Sequence, residues 1–203
     1  HTVVGPISPY FVQRHGFSPS AQVVVGSGDN PCSLVGLGLV RSGMVAISLG
    51  TSDTYFGAMD HCRVSEHGEG HVFGSPTGGY MTLVCFKNGS LARERVRDEL
   101  GLDWAGFSRA IRETPPALGG RGLVLPWYDP EITPRVLVPG VRRRGIEPGD
   151  PAMCRAVVEA QMMAMRLHTR WMEVRPACIY ATGGASANTE ILHIMADVHA
   201  CPV

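Results

Sequence analysis

The sequence predicts an α/β domain built on a mixed sheet, and two observations support this prediction. Short apolar segments rich in β-branched residues alternate with longer segments whose apolar residues recur at helical spacing. Three of the apolar segments end in turns rich in glycine and polar residues, the position at which open α/β sheets bind ligands. Strands followed by helices around one sheet indicate the α/β class.

Composition narrows the class of protein. The 203 residues are 44% hydrophobic and 18% charged, which indicates a soluble globular chain able to bury a sizeable core. Eighteen basic residues balance eighteen acidic ones, so neither nucleic acid nor an anionic membrane is predicted as a partner. No apolar run approaches the roughly 20 residues that span a bilayer. The six cysteines form no C-x-x-C pair, which predicts a reduced cytoplasmic protein without a metal site.

Apolar runs bounded by Gly, Asn and Pro predict the strands of the first half. These strands lie at 22–26, 44–49, 54–58, 71–73 and 80–86. The first is expected to be buried and to lead through a turn to a helix over 32–40. The second and third are expected to form a hairpin. Ser90 is expected to cap a helix that runs to Leu100.

The second half of the chain is predicted to contain more helix. Predicted elements lie at 104–112 (helix), 122–127 (strand), 151–171 (the longest helix, with Pro151 in its first turn), 177–181 (strand) and 188–199 (helix). Residues 129–149 are rich in Pro and Gly but retain apolar residues, which predicts an ordered surface insertion.

The first polar turn is Gly28-Asp29-Asn30-Pro31. A carboxylate at the end of a strand can accept a proton from a hydroxyl, and Asn30 could orient that hydroxyl. Asp and Asn are also favoured N-cap residues, so Asp29 can equally be the cap of the following helix. The residues alone leave both interpretations open.

The other two turns could bind phosphate. Gly50-Thr51-Ser52 can present N–H and O–H donors to phosphate oxygens, or can be only a tight turn. In the run Thr182 to Asn188, Gly183 and Gly184 would let a ligand approach the backbone at a helix N-terminus. Close packing of a strand against a helix explains these two glycines as well. Neither a G-x-G-x-x-G fingerprint nor a P-loop is present.

Five segments, in order along the chain, resemble one family. They are "GDNPCSLVG", "ISLGTSDTYF", "LVCFKNGSLARERVRDE", "EITP" and "ATGGASANTEILHIMADV". Together they resemble the eukaryotic-type xylulokinases, within the carbohydrate kinase family that includes glycerol kinase. The resemblance extends from about Ile7 to Val203.

The resemblance implies a ribonuclease-H-like fold, as in actin and hexokinase, that is truncated here. Residues 1–40 would be the end of a sugar-binding domain and a hinge carrying the Asp29 turn. Residues 41–203 would be a C-terminal nucleotide-binding domain, incomplete at its end. The N-terminal domain of the same protein is expected to be missing, because the chain begins with His and stops at the start of an apparent strand.

Site residues follow from the resemblance position by position. Asp29 matches the catalytic base, which would also contact the sugar, and Asn30 matches a sugar contact. The implied ATP-binding residues are Gly50, Thr51, Ser52, Trp104, Gly183, Gly184 and Asn188. Of these, Thr51 would place its hydroxyl near the transferred phosphate, and the Asn188 amide would lie at the base.

The implied reaction is transfer of the ATP γ-phosphate to a sugar hydroxyl, with D-xylulose as acceptor and Mg²⁺ accompanying ATP. Two alternatives are kept: a kinase for another ketose or polyol, and a catalytically inert actin-like domain that binds nucleotide. Because half of the cleft would be absent, we expect this chain alone to be inactive.

Overall fold

A computed structural model describes residues 2–120 and 122–203 of the chain. Its strands are β1 (Val3–Pro6), β2 (Gln22–Val24), β3 (Met44–Leu49), β4 (Asp53–Met59), β5 (His71–Gly74), β6 (Tyr80–Phe86), β7 (Leu123–Trp127), β8 (Gly140–Arg144) and β9 (Cys178–Thr182). Its α-helices are α1 (Pro9–His15), α2 (Asp29–Gly36), α3 (Ser90–Glu99), α4 (Trp104–Glu113), α5 (Ala117–Gly120), α6 (Met153–His168) and α7 (Thr189–His199). The predicted α/β class is confirmed.

The central sheet has five strands in the order β5-β6-β4-β3-β9. Its pairs are antiparallel except β3 and β9, which run parallel with Val45 opposite Ile179. The sheet is therefore mixed, as predicted. The parallel pair has one consequence for function, because the carboxyl ends of β3 and β9 lie side by side at one edge.

Alternation along β3 separates the two faces of this sheet. Val45, Ile47 and Leu49 are fully buried and belong to the main core, which also contains residues of α3, α4, α6 and α7. Ala46 points to the opposite face. Each fully buried aliphatic side chain of this size contributes about 1.5–3 kcal/mol relative to exposure, so β3 is fixed firmly between two packed layers.

The longest helix, α6, is shorter than predicted at both ends. It begins at Met153 because residues 151 and 152 form a turn, and it ends at His168. The Thr169 hydroxyl donates to the Met165 carbonyl at 2.7 Å, and a 3-10 turn follows over Arg170–Met172. Within the described parts of the chain, no helix combines the length and hydropathy needed to cross a bilayer.

The prediction of a buried strand over 22–26 is wrong about burial. Strand β2 pairs with β1 in a separate two-stranded sheet, and Val23, Val24 and Val25 are each about half exposed. Strand β1 and helix α1 were not predicted. A β-branched run indicates a strand but does not say whether its faces are covered.

The helix predicted over 32–40 begins three residues earlier, at Asp29. Pro31 lies in its first turn, where the missing N–H costs no intrahelical hydrogen bond. Gly28 occupies the N-cap position with an extended backbone. At the other end the helix stops at Gly36 rather than at residue 40, with Leu37 as the C-cap and Gly38 at a φ of 75° directly after it.

The insertion over 129–149 is ordered, as predicted, and its last part is strand β8, which pairs with β7. Glu131 anchors its beginning. The Glu131 carboxylate accepts hydrogen bonds from the backbone N–H of Lys87 and Asn88 and from the Asn88 side chain. The insertion is thus attached to the loop that precedes α3.

Candidate active site

The two glycine turns that follow β3 and β9 are in direct contact. Ser48 of β3 lies opposite Thr182 of β9, so the turns begin at the same level of the sheet. Gly183 has a φ of 85°, and a Cβ atom there would lie 2.5 Å from the Leu49 carbonyl oxygen. Only glycine fits this position. The turn over 50–52 and the turn that begins at Gly183 therefore lie next to each other at the carboxyl ends of β3 and β9.

Helix α3 supports the first turn from behind. The Ser90 N–H donates to the Gly50 carbonyl at 2.9 Å. Gly89 packs so closely that a Cβ there would lie 2.5 Å from the Asp53 nitrogen. The predicted cap is wrong, because Gly89 is the N-cap and Ser90 is the first helical residue. The Ser90 hydroxyl instead accepts a hydrogen bond from Arg93 at 2.8 Å.

A cavity of about 560 Å³ lies between α3, α4 and the turn after β9. It is lined by three of the predicted ATP-binding residues, Trp104, Gly184 and Asn188, and also by Ser90, Glu94 and Ser108. Through Ser90 the cavity adjoins the Gly50 turn. Its volume lies within the range typical of small-molecule sites.

Trp104 is the first residue of α4, and its position is fixed on several sides. The side chain of Asp103 caps the helix by accepting from the Gly106 N–H at 2.7 Å. The Arg97 guanidinium lies 4.5 Å from the centre of the indole, and Phe107 meets it edge-on. The indole remains 42% exposed and forms a rigid aromatic wall of the cavity.

Asn188 has two roles in the structure. As the N-cap of α7, its Oδ1 accepts from the Glu190 and Ile191 N–H groups at 3.1 and 3.4 Å. Its Nδ2 donates to the Ser108 hydroxyl at 2.8 Å, and Ser108 donates in turn to the Trp104 carbonyl. One of the two Nδ2 hydrogens remains for a ligand. The amide is therefore held in one orientation.

Several residues around this site were missed by sequence reasoning. Ser108 links Asn188 to α4, and its only signal is that it stands four residues after Trp104, on the same helix face. Behind the Gly50 turn, Asp53 and Arg93 form a buried ion pair. Burial raises the pKa of Asp53, and the Arg93 guanidinium acts in the opposite direction.

Asp29 and Asn30 lie apart from the cavity, in the first turn of α2. Asp29 is exposed, and its Oδ1 accepts from the Asn30 N–H at 2.8 Å. Because the N-cap is Gly28, Asp29 is not the cap residue. Leu34 of helix α2 belongs to the small buried cluster on the outer face of the sheet that also contains Ala46 of β3. The strand that carries the Gly50 turn and the helix that carries Asp29 thus contribute to the same apolar cluster.

Residues 2–120 and 122–203 contain no group of three or more His, Cys, Asp or Glu side chains that could hold a metal ion. The six cysteines are all free.

Comparison with known sequences supports the resemblance. A model described as "FGGY family of carbohydrate kinases, C-terminal domain" matches residues 45–203. Over its whole length the chain is 44% identical to a xylulose kinase of Mus musculus and 38% identical to xylulose kinase 2 of Arabidopsis thaliana. It spans 38% and 40% of the length of those two relatives.

Solved structures give the same result for the fold. The xylulose kinase of Bifidobacterium adolescentis superposes with a TM-score of 0.78 at 25% identity, over 89% of this chain and 36% of that protein. A glycerol kinase of Plasmodium falciparum, solved with ADP, superposes with a TM-score of 0.69 at 13% identity, over 96% of this chain and 40% of that one. At that identity the likeness concerns the fold alone. The predicted actin-like fold is confirmed.

Proposed function

The chain belongs to the FGGY family of carbohydrate kinases, and we propose that it supplies the nucleotide site and the catalytic base of an ATP-dependent sugar kinase. The observation that carries this proposal is the contact between the two turns, with Gly183 against the Leu49 carbonyl and Ser90 joining the Gly50 turn to the cavity. One ligand can then contact both turns and the cavity at once.

The residues fit a nucleoside triphosphate. In the proposal, the adenine lies beside Trp104 and Gly184, with the free Asn188 hydrogen available to a ring nitrogen. The phosphates lie over the exposed backbone of Gly50 and Gly183, and the N–H groups and hydroxyls of Thr51 and Ser52 serve as donors. The large cavity and the closely approached backbone support this division between base and phosphates.

For the acceptor, Asp29 takes the proton from the sugar hydroxyl as the oxygen attacks the γ-phosphorus and the bond to ADP breaks. The carboxylate is exposed, and within residues 2–120 and 122–203 it accepts one hydrogen bond, from the Asn30 N–H, so its second oxygen can accept that proton. Asn30 supplies a neutral donor and acceptor that orient the sugar. Position and charge stabilisation, more than covalent chemistry, account for the rate of such a transfer.

Mg²⁺ is proposed as the companion of ATP, where it neutralises phosphate charge. We propose that phosphate oxygens, water and carboxylates would hold it, with one of the carboxylates in the N-terminal domain. No residue of this chain is assigned as a ligand.

We further propose the division of the chain at residue 40. Residues 1–40 would end a sugar-binding domain and form the hinge, and residues 41–203 would form the nucleotide-binding domain. The separate β1–β2 sheet and the start of the family match at residue 45 support this boundary. The partner would be an N-terminal domain of the same protein, and the free cysteines support a reduced, cytoplasmic location.

D-Xylulose is the proposed acceptor, because relatives that match the whole chain at 38–44% identity are xylulose kinases. The experiment is a panel of ketoses and polyols assayed with ATP and the kinase that contains this chain. We expect kcat/KM for D-xylulose to exceed that for D-ribulose and glycerol by at least about tenfold, which corresponds to the net contribution of one hydrogen bond of about 1.4 kcal/mol. A higher kcat/KM for another sugar would make that sugar the substrate instead of D-xylulose. No turnover with any sugar would favour an inert nucleotide-binding domain.

A further inference from the structure

Arg93 and Asp53 form an ion pair that is completely buried behind the Gly50 turn. The guanidinium is bidentate, with Nη1 2.7 Å from Oδ2 and Nη2 2.9 Å from Oδ1 of the carboxylate. Both side chains are 0% exposed. Two parallel hydrogen bonds of this kind fix direction as well as distance.

The pair is extended by neutral partners on two helices. Arg93 also donates to the Gln161 side-chain oxygen at 2.6 Å and to the Ser90 hydroxyl at 2.8 Å. Gln161 donates to the carbonyls of Asn88 and Gly89, which lie just before α3. Helix α6 is thereby connected to the beginning of α3.

As a way of filling the core, this network is energetically less favourable than apolar side chains. The Arg93 Nε is buried and has no hydrogen-bond partner among the residues that the structure describes. A buried ion pair often stabilises a fold no better than apolar residues of the same volume. Stability alone therefore gives a poor account of why Arg93 stands here. The network is better explained by the turn that it positions, because it reaches both ends of the short turn over 50–52.

Each end of the turn over 50–52 is held by the beginning of α3. At the near end, the Gly50 carbonyl accepts from the Ser90 N–H. At the far end, Asp53 pairs with Leu49 across the hairpin and binds Arg93 through its carboxylate. Between these two attachments the backbone of Thr51 and Ser52 has little freedom to shift.

We propose that Arg93 is a positioning residue that acts through Asp53 to hold the Gly50–Ser52 turn in the conformation that binds nucleotide phosphates. This inference rests on the proposed function. Arg93 does not itself attract phosphate, because its charge is neutralised by Asp53 and it has no exposed surface. Backbone donors stabilise a transferring phosphoryl group only when they are fixed before it arrives.

The test compares Arg93→Met with Arg95→Met in the kinase that contains this chain. Arg95 lies on the same helix but is exposed, and it pairs with Asp129 at 3.2 Å. The readout is the ratio of ATP affinity to adenosine affinity, measured by calorimetry. For Arg93→Met we expect this ratio and kcat to fall at least about tenfold, as expected for misplaced phosphate donors, while adenosine affinity stays within about twofold. Arg95→Met should match the wild type in the affinity ratio, in kcat and in adenosine affinity.

A second variant covers the case in which Arg93→Met does not fold. Arg93→Lys keeps the charge and loses the bidentate geometry, so the affinity ratio should fall about threefold or more. A lowered melting temperature with an unchanged ratio in the folded Arg93 variants would overturn the inference and leave the proposed function standing. A wild-type protein that binds ATP no better than adenosine would overturn both.

Discussion

The amino-terminal segment over 2–40 and the body over 44–203 are built in contrasting ways. In the segment, Val4 and Val24 are 68% and 53% exposed, whereas Val45 and Ile47 of the central strand are at 0%. The proposed base lies on the open segment, and the proposed nucleotide groups lie at the edge of a closed core. Replacing the base should therefore leave stability unchanged, whereas replacing a glycine where the nucleotide turns pack together should lower it.

The largest effect is expected in the exposed amino-terminal segment. Asp29→Ala removes the proposed proton acceptor, so kcat should fall by about 10²–10⁴-fold. The melting temperature should change by less than about 2 °C, because Asp29 is exposed and bonds only to the next N–H. Steady-state kinetics and calorimetry on the kinase that contains this chain measure both quantities.

Asp60→Ala is the matched control for Asp29→Ala, since Asp60 is also an exposed acid and its ion pairs in the described part of the chain are with the nearby His61 and Arg63. It should leave kcat unchanged. Unfolding of the Asp29 variant, or retention of kcat, would break the contrast between the two regions.

In the buried body over 44–203 we expect a smaller change in free energy, and we expect it in stability rather than in rate. Gly183→Ala places a Cβ 2.5 Å from the Leu49 carbonyl oxygen, at a backbone conformation (φ 85°, ψ 172°) that is essentially restricted to glycine. Strain of about 1–3 kcal/mol from the conformation, and more from the contact, should lower the free energy of unfolding by at least about 2 kcal/mol. Denaturant unfolding of the variant measures this loss.

Gly101→Ala sharpens the comparison. Gly101 also has a left-handed φ, of 62°, but nothing lies within 4 Å of the position its Cβ would occupy. Its cost should be limited to about 1–2 kcal/mol of backbone strain. Equal losses for the two variants would mean that the contact between the two turns contributes nothing.

The two regions also differ in how well the sequence predicts their structure. The hairpin of β3 and β4, the helices α4 and α7 and the strand β9 follow from local periodicity and turn residues, and their predictions are confirmed. Exposure of β2 could not be predicted, since it depends on what covers the strand. The sequence predicts that α2 starts after Pro31, whereas it starts at Asp29, because proline is tolerated in the first turn of a helix.

The site was predictable in part. The resemblance indicated Trp104, Gly184 and Asn188, and the structure brings them into one cavity. Their catalytic assignment, like that of Asp29, stays a prediction. Arg93 and Asp53 stand 40 residues apart in the chain, and Arg93 and Gln161 stand 68 apart. Such a network leaves no local pattern, since only the packing of α3 and α6 against the sheet brings its members together.

The measurement that tests the central claim most directly is the thermal unfolding of this chain with and without ATP and Mg²⁺. If the two turns and the cavity form a nucleotide site, ATP at a hundredfold excess over its Kd should add about 2.7 kcal/mol to the free energy of unfolding. The melting temperature should then rise by about 5–10 °C. No ATP-dependent rise up to millimolar concentration would contradict the claim that this chain contains the nucleotide site.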